Sequence, residues 1–331
     1  MLATLTFFEL TTMSLTALGP QLLHYRPFMG PLLGPWQGVK AVARCSLSLL
    51  GRRKMFWVLY ACSFLIFLFY FFGQYLAVFL ENRVSEAMVR TGGLFGRMMS
   101  PDVVSKMLSD AMHMDGSADT FGDFIWTEGF IAVVILAFAG SVLVGNDFQH
   151  NSLPFYLSKP ISRRHYVLGK CLAIALLVNF MTTIPAVCLF VEYGFIDTWD
   201  YYLNEFQLLL GILAYGTALT LTLSLLLLVT ATWLRRTVPL VMVWTATFVM
   251  ARLVQRWLVD GIGLSPRWRL IDVWNDLYLF GMWCLGKDHA KLRPLSQVQP
   301  AYWEAAVTLV AVCVLSVLYL RRRVRAVEVV V

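Results

Sequence analysis

Residues 281–288 read GMWCLGKD, which has the GxxxxGK spacing of a loop whose backbone N–H groups cradle phosphates. That chemistry also needs a Ser or Thr after the lysine to reach Mg²⁺, and a β-strand before the first glycine. Here Asp288 follows Lys287 and the flanks are aromatic, so the spacing is read as a coincidence. The histidines His24, His113, His150, His165 and His289 are scattered, without an HExxH pair, and the six cysteines contain no CxxC pair. Neither zinc chemistry nor a disulfide framework is signalled. No catalytic, cofactor-binding or metal-ligating set is expected on this chain.

Polar groups inside apolar runs are the other source of chemistry, because placing them in a bilayer costs several kcal/mol and they often mark pathways. Glu128, Glu192 and Glu304 fall near the ends of such runs, where interfacial water can solvate them. Asn179 and Arg252 lie deeper and are the two candidate pathway residues.

The elements that carry these residues are membrane spans. Of the 331 residues 59% are hydrophobic and only 14% charged, with a mean hydropathy of +0.68; a soluble domain carries about 25% charged residues. A hydrocarbon core about 30 Å thick needs roughly 20 apolar residues in a helix. Six runs qualify: 55–80, 124–144, 167–191, 206–233, 238–258 and 303–320. The expected fold is therefore an all-α integral membrane protein with six transmembrane helices. Residues 1–35 are too short and polar for a confident span and are read as an interfacial or disordered leader; the lack of a basic stretch ahead of its apolar part argues against a cleavable signal. In 36–54 apolar and basic residues alternate, as in an amphipathic helix on the inner leaflet or an ordinary juxtamembrane anchor. Pro185 is expected to bend the third span.

Orientation follows from Lys and Arg, which concentrate in cytoplasmic loops. Lys40, Arg44 and 52–54 precede the first span; Lys159, Arg163, Arg164 and Lys170 separate the second and third; Arg235 and Arg236 separate the fourth and fifth; and Arg321, Arg322, Arg323 and Arg325 follow the last. All four belong on one side, so both termini are expected in the cytoplasm and 321–331 is a basic cytoplasmic tail. The outer loop 81–123 has more acids than bases, and Ser100-Pro101 within it reads as a helix start. Segment 260–300 is rich in Trp and Tyr and is expected to form external interfacial or re-entrant helices. The net charge of +7 is spread over span flanks, so membrane anchoring accounts for it and nucleic acid is not an expected partner.

The most distinctive stretch is the inner segment 145–166, where Leu153, Phe155, Tyr156, Leu157 and Ile161 are apolar in a loop otherwise expected to be solvated. Asp147, Ser152-Leu153 and Leu157-Ser158-Lys159-Pro160-Ile161-Ser162-Arg163, followed by Arg164 and Gly169-Lys170, resemble the permease subunits of type-2 ABC exporters. In that family an acidic residue, a turn and a sequence like LLSxPISR precede a Gly-Lys leading into the third span. The chain has Asp147 and Asn151-Ser152-Leu153 where the family commonly has Glu and Gly-Thr-Leu.

The resemblance implies that this segment, with Asp147, Ser152, Leu153, Phe155, Leu157, Ser158, Lys159, Pro160, Ile161, Ser162, Arg163 and Arg164, is similar to a coupling helix seated on a separate ABC ATPase. ATP and Mg²⁺ would then be held by that partner, and a second permease copy or homologous permease would face this one across the route of an unidentified substrate. Membrane lipid is the remaining expected partner, and the plasma (inner) membrane the expected location. The alternative reading is an ion-coupled secondary transporter or a non-transporting membrane scaffold; the first of these often shows repeated halves around central ionisable groups.

Overall fold

A computed structural model describes residues 34–91, 114–149, 162–196, 199–292 and 298–323, and the described residues form helices and the turns between them. Among the described residues six helical segments are long and apolar enough to cross a membrane, which agrees with the all-α membrane fold expected from hydropathy.

Helix α1, Pro35–Gly51, buries Val39, Val42, Ala43, Ser46 and Leu50, while Lys40, Arg44 and Ser48 are exposed. That 3–4 spacing is one face of an α-helix. The face is turned to protein rather than to lipid: α1 packs along α4, Arg163–Met181. At Gly169 of α4 a Cβ would lie 2.7 Å from Val42 Cβ and 3.0 Å from the Val39 carbonyl, so glycine is what allows this approach. An amphipathic pattern specifies only that one face avoids water. Whether a membrane surface or another helix takes it is a tertiary outcome.

Helix α2, Lys54–Thr91, carries the first span and continues beyond position 80, where hydropathy places its end. Hydropathy detects the apolar core, but a helix runs on through polar residues of good helix propensity. The expected helix start at Ser100-Pro101 lies outside the described residues.

Helix α3, Ala118–Gly140, passes through a π-helical turn, Ser141–Gly145, into a short helix, Asn146–Gln149. It is the central helix of the bundle: 72% of its apolar window is buried, against 6% for α2. The third span is α4 followed by α5, Thr183–Ile196, with a break at Thr182. Pro185 supplies the cause, since its ring has no N–H and clashes with the carbonyl four residues back, at Met181. The turn ahead of the proline stays bonded: the Thr182 backbone N–H and its side-chain Oγ1 both donate to the Val178 carbonyl, at 2.9 and 2.8 Å.

Helix α6, Phe206–Leu234, is the fourth span and ends at Arg235, whose φ of 55° is left-handed. The fifth span is assembled from α7, Thr237–Thr245, and α8, Ala251–Arg256, each followed by a π-helical turn, Ala246–Met250 and Trp257–Gly261. A 3₁₀ turn, Pro266–Ile271, then leads into α9, Val273–Cys284, and the last span is α10, Tyr302–Arg323.

The core runs along α3, α6 and α9. Trp274 of α9 is fully buried against Trp126, Phe130 and Phe248. Gly129 leaves room for its indole, since a Cβ there would come within 2.8 Å of the ring. In α9 the aromatic segment, expected to form interfacial or re-entrant helices, buries Trp274, Leu277, Leu279 and Met282 in the bundle. Its Trp and Tyr content signals the membrane boundary and a tightly filled core equally well.

Candidate functional site

Among the described residues, Arg53, Lys54, Arg163, Arg164, Arg235, Arg236 and Arg321 border recesses at one end of the bundle. Ser141 at the end of α3 hydrogen-bonds Thr237 at the start of α7, at 2.7 Å. A groove joins Arg163 and Arg164 to Arg321 at the end of α10, and another recess joins Arg53 and Lys54 to Ser141 and Thr237. Helix starts and helix ends alternate along an antiparallel bundle, and the charges follow them.

At this end the described residues stop at Gln149, in the short helix after α3, and resume at Ser162, ahead of α4. The two edges of that segment are tied together. Asp147 accepts an ion pair from Lys170 Nζ at 2.7 Å and a hydrogen bond from Tyr166 Oη at 2.8 Å. Lys170 also donates to the Leu143 carbonyl at 2.5 Å, in the π-helical turn. Only 3% of the Lys170 side chain is exposed, and Tyr166 is buried. A buried ammonium is tolerated only when paired and hydrogen-bonded, and here both partners come from the end of the second span. Tyr166 and Lys170 stand four apart on one face of α4, so one carboxylate receives both.

Gly145, in the same turn, is pressed against the chain between the fourth and fifth spans: a Cβ there would lie 2.8 Å from the Arg235 carbonyl oxygen. Through these contacts the ends of the second and fourth spans and the starts of the third and fifth meet within a few residues.

Ser162 caps α4, its extended backbone placing its N–H 3.3 Å from Nδ1 of His165, which accepts the bond. Arg163 and Arg164 occupy the first turn and are exposed. Cations at a helix N-terminus oppose the helix dipole by about 0.3–1 kcal/mol each.

Of the residues singled out in the sequence, Asp147, Ser162, Arg163 and Arg164 frame the segment. Ser152, Leu153, Phe155, Leu157, Ser158, Lys159, Pro160 and Ile161 lie outside the described residues. The roles of Tyr166 and Lys170 as the anchors of Asp147 were not read from the sequence. A lysine sixteen positions before Ala186 in an apolar run, with Tyr four residues earlier, is the signal that could have found them.

The two candidate pathway residues are not brought together. The Asn179 amide donates to the Ala175 carbonyl at 2.9 Å, and its oxygen accepts from Thr183 at 2.7 Å, across the break in the third span. It lines a wide apolar groove. Arg252 stands instead at the other end, its guanidinium 4.8 Å from the Trp126 ring centroid, in a polar cavity of about 190 Å³ that also includes Asp123, Gln255 and Asp272.

Asp272 caps α9 by accepting from the Trp274 N–H at 3.0 Å; burial raises its pKa, against the opposing pull of backbone N–H groups and of Arg252 and Arg256. One turn on, Asp276 is fully buried and neither carboxylate oxygen has a hydrogen-bond partner among the described residues. Burial, with the Asp272 charge adding to it, pushes Asp276 up to about 9.

The GxxxxGK spacing is a helix end. Gly281 sits in α9 where a Cβ would strike the Tyr215 ring at 2.5 Å, Gly286 turns with a φ of 76°, and Lys287 is paired with Asp119. Among the described residues no group of three or more His, Cys, Asp or Glu is placed to hold a metal ion.

A family model described as ABC-2 family transporter protein matches residues 41–264, more than half of the chain, from within α1 through the fifth span. No curated protein matches the chain significantly.

Proposed function

The chain belongs to the ABC-2 family of transporter proteins and is a multi-pass membrane component of ABC type, and from that premise we propose that it is the permease of an exporter driven by ATP hydrolysed on a separate ABC ATPase subunit. The basic end of the bundle faces the cytoplasm of a cell whose plasma membrane holds the protein, with both termini on that side. Segment 145–166 docks on the ATPase, and two permeases, identical or homologous, face each other across the substrate route. ATP and Mg²⁺ reside on the partner.

The observation that carries this reading is the buried Asp147–Lys170–Tyr166 cluster. Coupling needs a docked element joined to something that can take two arrangements. A loop hinged loosely on two helices would absorb a push; one whose edges are clamped by a desolvated ion pair passes it to α3 and α4 together. Arg163 and Arg164, exposed and set against the helix dipole, supply the charge that an acidic ATPase surface would meet.

Affinity purification of the tagged chain in mild detergent tests this. The expected result is a co-purifying soluble ATPase that is lost when Arg163 and Arg164 are replaced by Glu, while the permease remains inserted. Recovery of the intact chain without any ATPase, or ATP-dependent transport and assembly unchanged in the double variant, overturns the assignment.

A further inference from the structure

We propose that the groove between α4, α6 and α10 is a binding site for one anionic phospholipid of the leaflet at the basic end, its phosphate held at Arg164 and Arg321 and its chains laid along the groove.

Two recesses, of about 680 and 830 Å³, share Leu168, Cys171, Leu225, Val317 and Arg321 and form one continuous groove. Its walls are apolar. Its mouth carries Arg163, Arg164 and Arg321, all exposed, and Trp36 of α1 stands beside it. Tryptophan favours the headgroup level of a bilayer. At the other end lie Ala175, Asn179 and Thr217.

The length of the groove matches one leaflet. From Arg164 to Asn179 helix α4 is unbroken, since its break is at Thr182, and those residues rise about 22 Å at 1.5 Å each. Half of a bilayer including its headgroups is about 20–22 Å. Cations therefore stand at phosphate depth, and the lining reaches Asn179 near the midplane, where acyl chains end.

Charge separates this occupant from a second copy of the chain. A two-fold contact sets a patch against itself, and with both copies inserted in the same sense it would bring Arg164 and Arg321 against their own counterparts. An apolar groove with a cationic mouth suits a ligand that is apolar at one end and anionic at the other. Basic residues near a membrane surface attract anionic lipid by about 1 kcal/mol each. The mouth shares Arg163 and Arg164 with segment 145–166, but α6 and α10 form two of the walls, and the test below varies α10 alone.

The full chain in phosphatidylcholine nanodiscs containing a minority of phosphatidylglycerol is extracted into mild detergent and weighed by native mass spectrometry. The wild type is expected to retain phosphatidylglycerol selectively. Arg321→Glu, which turns an attraction into a repulsion, should lower that retention roughly tenfold or more. Val317→Trp fills the shared part of the groove without changing charge and should do the same. Arg323→Glu makes the same charge change on the same helix but does not line the groove, and should leave retention unchanged. Equal loss in Arg321→Glu and Arg323→Glu would show a diffuse basic collar and overturn the proposal. So would full retention in Val317→Trp, or a dimer in the wild type that Val317→Trp dissociates, since the groove would then hold a second copy. Monodisperse elution of each variant shows that it is folded, and the measurement needs no ATPase, so the two proposals fail separately.

Discussion

Replacing Asp147 by Leu leaves the Lys170 ammonium buried with only the Leu143 carbonyl and no counter-charge. Breaking a buried pair by removing one partner costs about 3–5 kcal/mol. With side-chain exposures of 3% and 14%, neither group gains enough water to escape that penalty. Lys170→Met should cost less than this, because the stranded carboxylate is nearer solvent and keeps the Tyr166 hydroxyl. Replacing both, Asp147→Leu with Lys170→Met, removes the desolvation penalty along with the attraction, and such swaps are often neutral or stabilising. The double variant should therefore recover most of the stability lost in Asp147→Leu. Tyr166→Phe removes one hydrogen bond to a charged acceptor, a loss of about 1.5–3 kcal/mol. Tryptophan fluorescence during reversible SDS unfolding in mixed micelles measures all four. Asp147→Leu within about 0.5 kcal/mol of wild type, the scale of an ordinary surface change, would refute the reasoning. So would a double variant whose loss is the sum of the two singles, because residues that act on each other do not add.

Further expectations follow from other contacts. Gly169→Val should force α1 away from α4, at about 1–3 kcal/mol of overpacking; disulfide cross-linking of cysteines introduced along the two helices should weaken, and Val42→Ala in the same chain should restore part of it. Asp276 binds its proton up to about pH 9 in the folded protein and releases it near pH 4 when unfolded. Between those values the folded state holds more protons, so stability falls as pH rises; thermal midpoints should drop from pH 5 to 9, and Asp276→Asn should flatten the slope. Arg252→Leu removes the cation over Trp126 and should cost about 0.5–2 kcal/mol, read as a lower thermal midpoint that Trp126→Phe partly masks.

Much of the fold was legible because a bilayer imposes a length and a polarity that hydropathy registers directly. Ser162 was legible as part of the inner segment, since a turn and a basic run mark a loop. The clamp on Asp147 was not, because a lysine near the start of a span looks the same whether it anchors to headgroups or to a carboxylate on another helix. The packing partners of α9 were not legible for a related reason: apolarity shows which residues shun water and is silent on whether lipid or protein receives them.

Composition, run length and the placement of Lys and Arg thus determined by themselves the class of protein and its six apolar helices, since both depend on residue type along the chain, while the likeness of 145–166 to an ABC coupling element is a family resemblance. Tertiary structure alone decided that α1 packs on α4 through Gly169, that Tyr166 and Lys170 meet Asp147, and that Asn179 and Arg252 line different recesses. Those outcomes depend on which helix faces meet across tens of residues, and helices that are apolar on every side carry almost no sequence record of their neighbours.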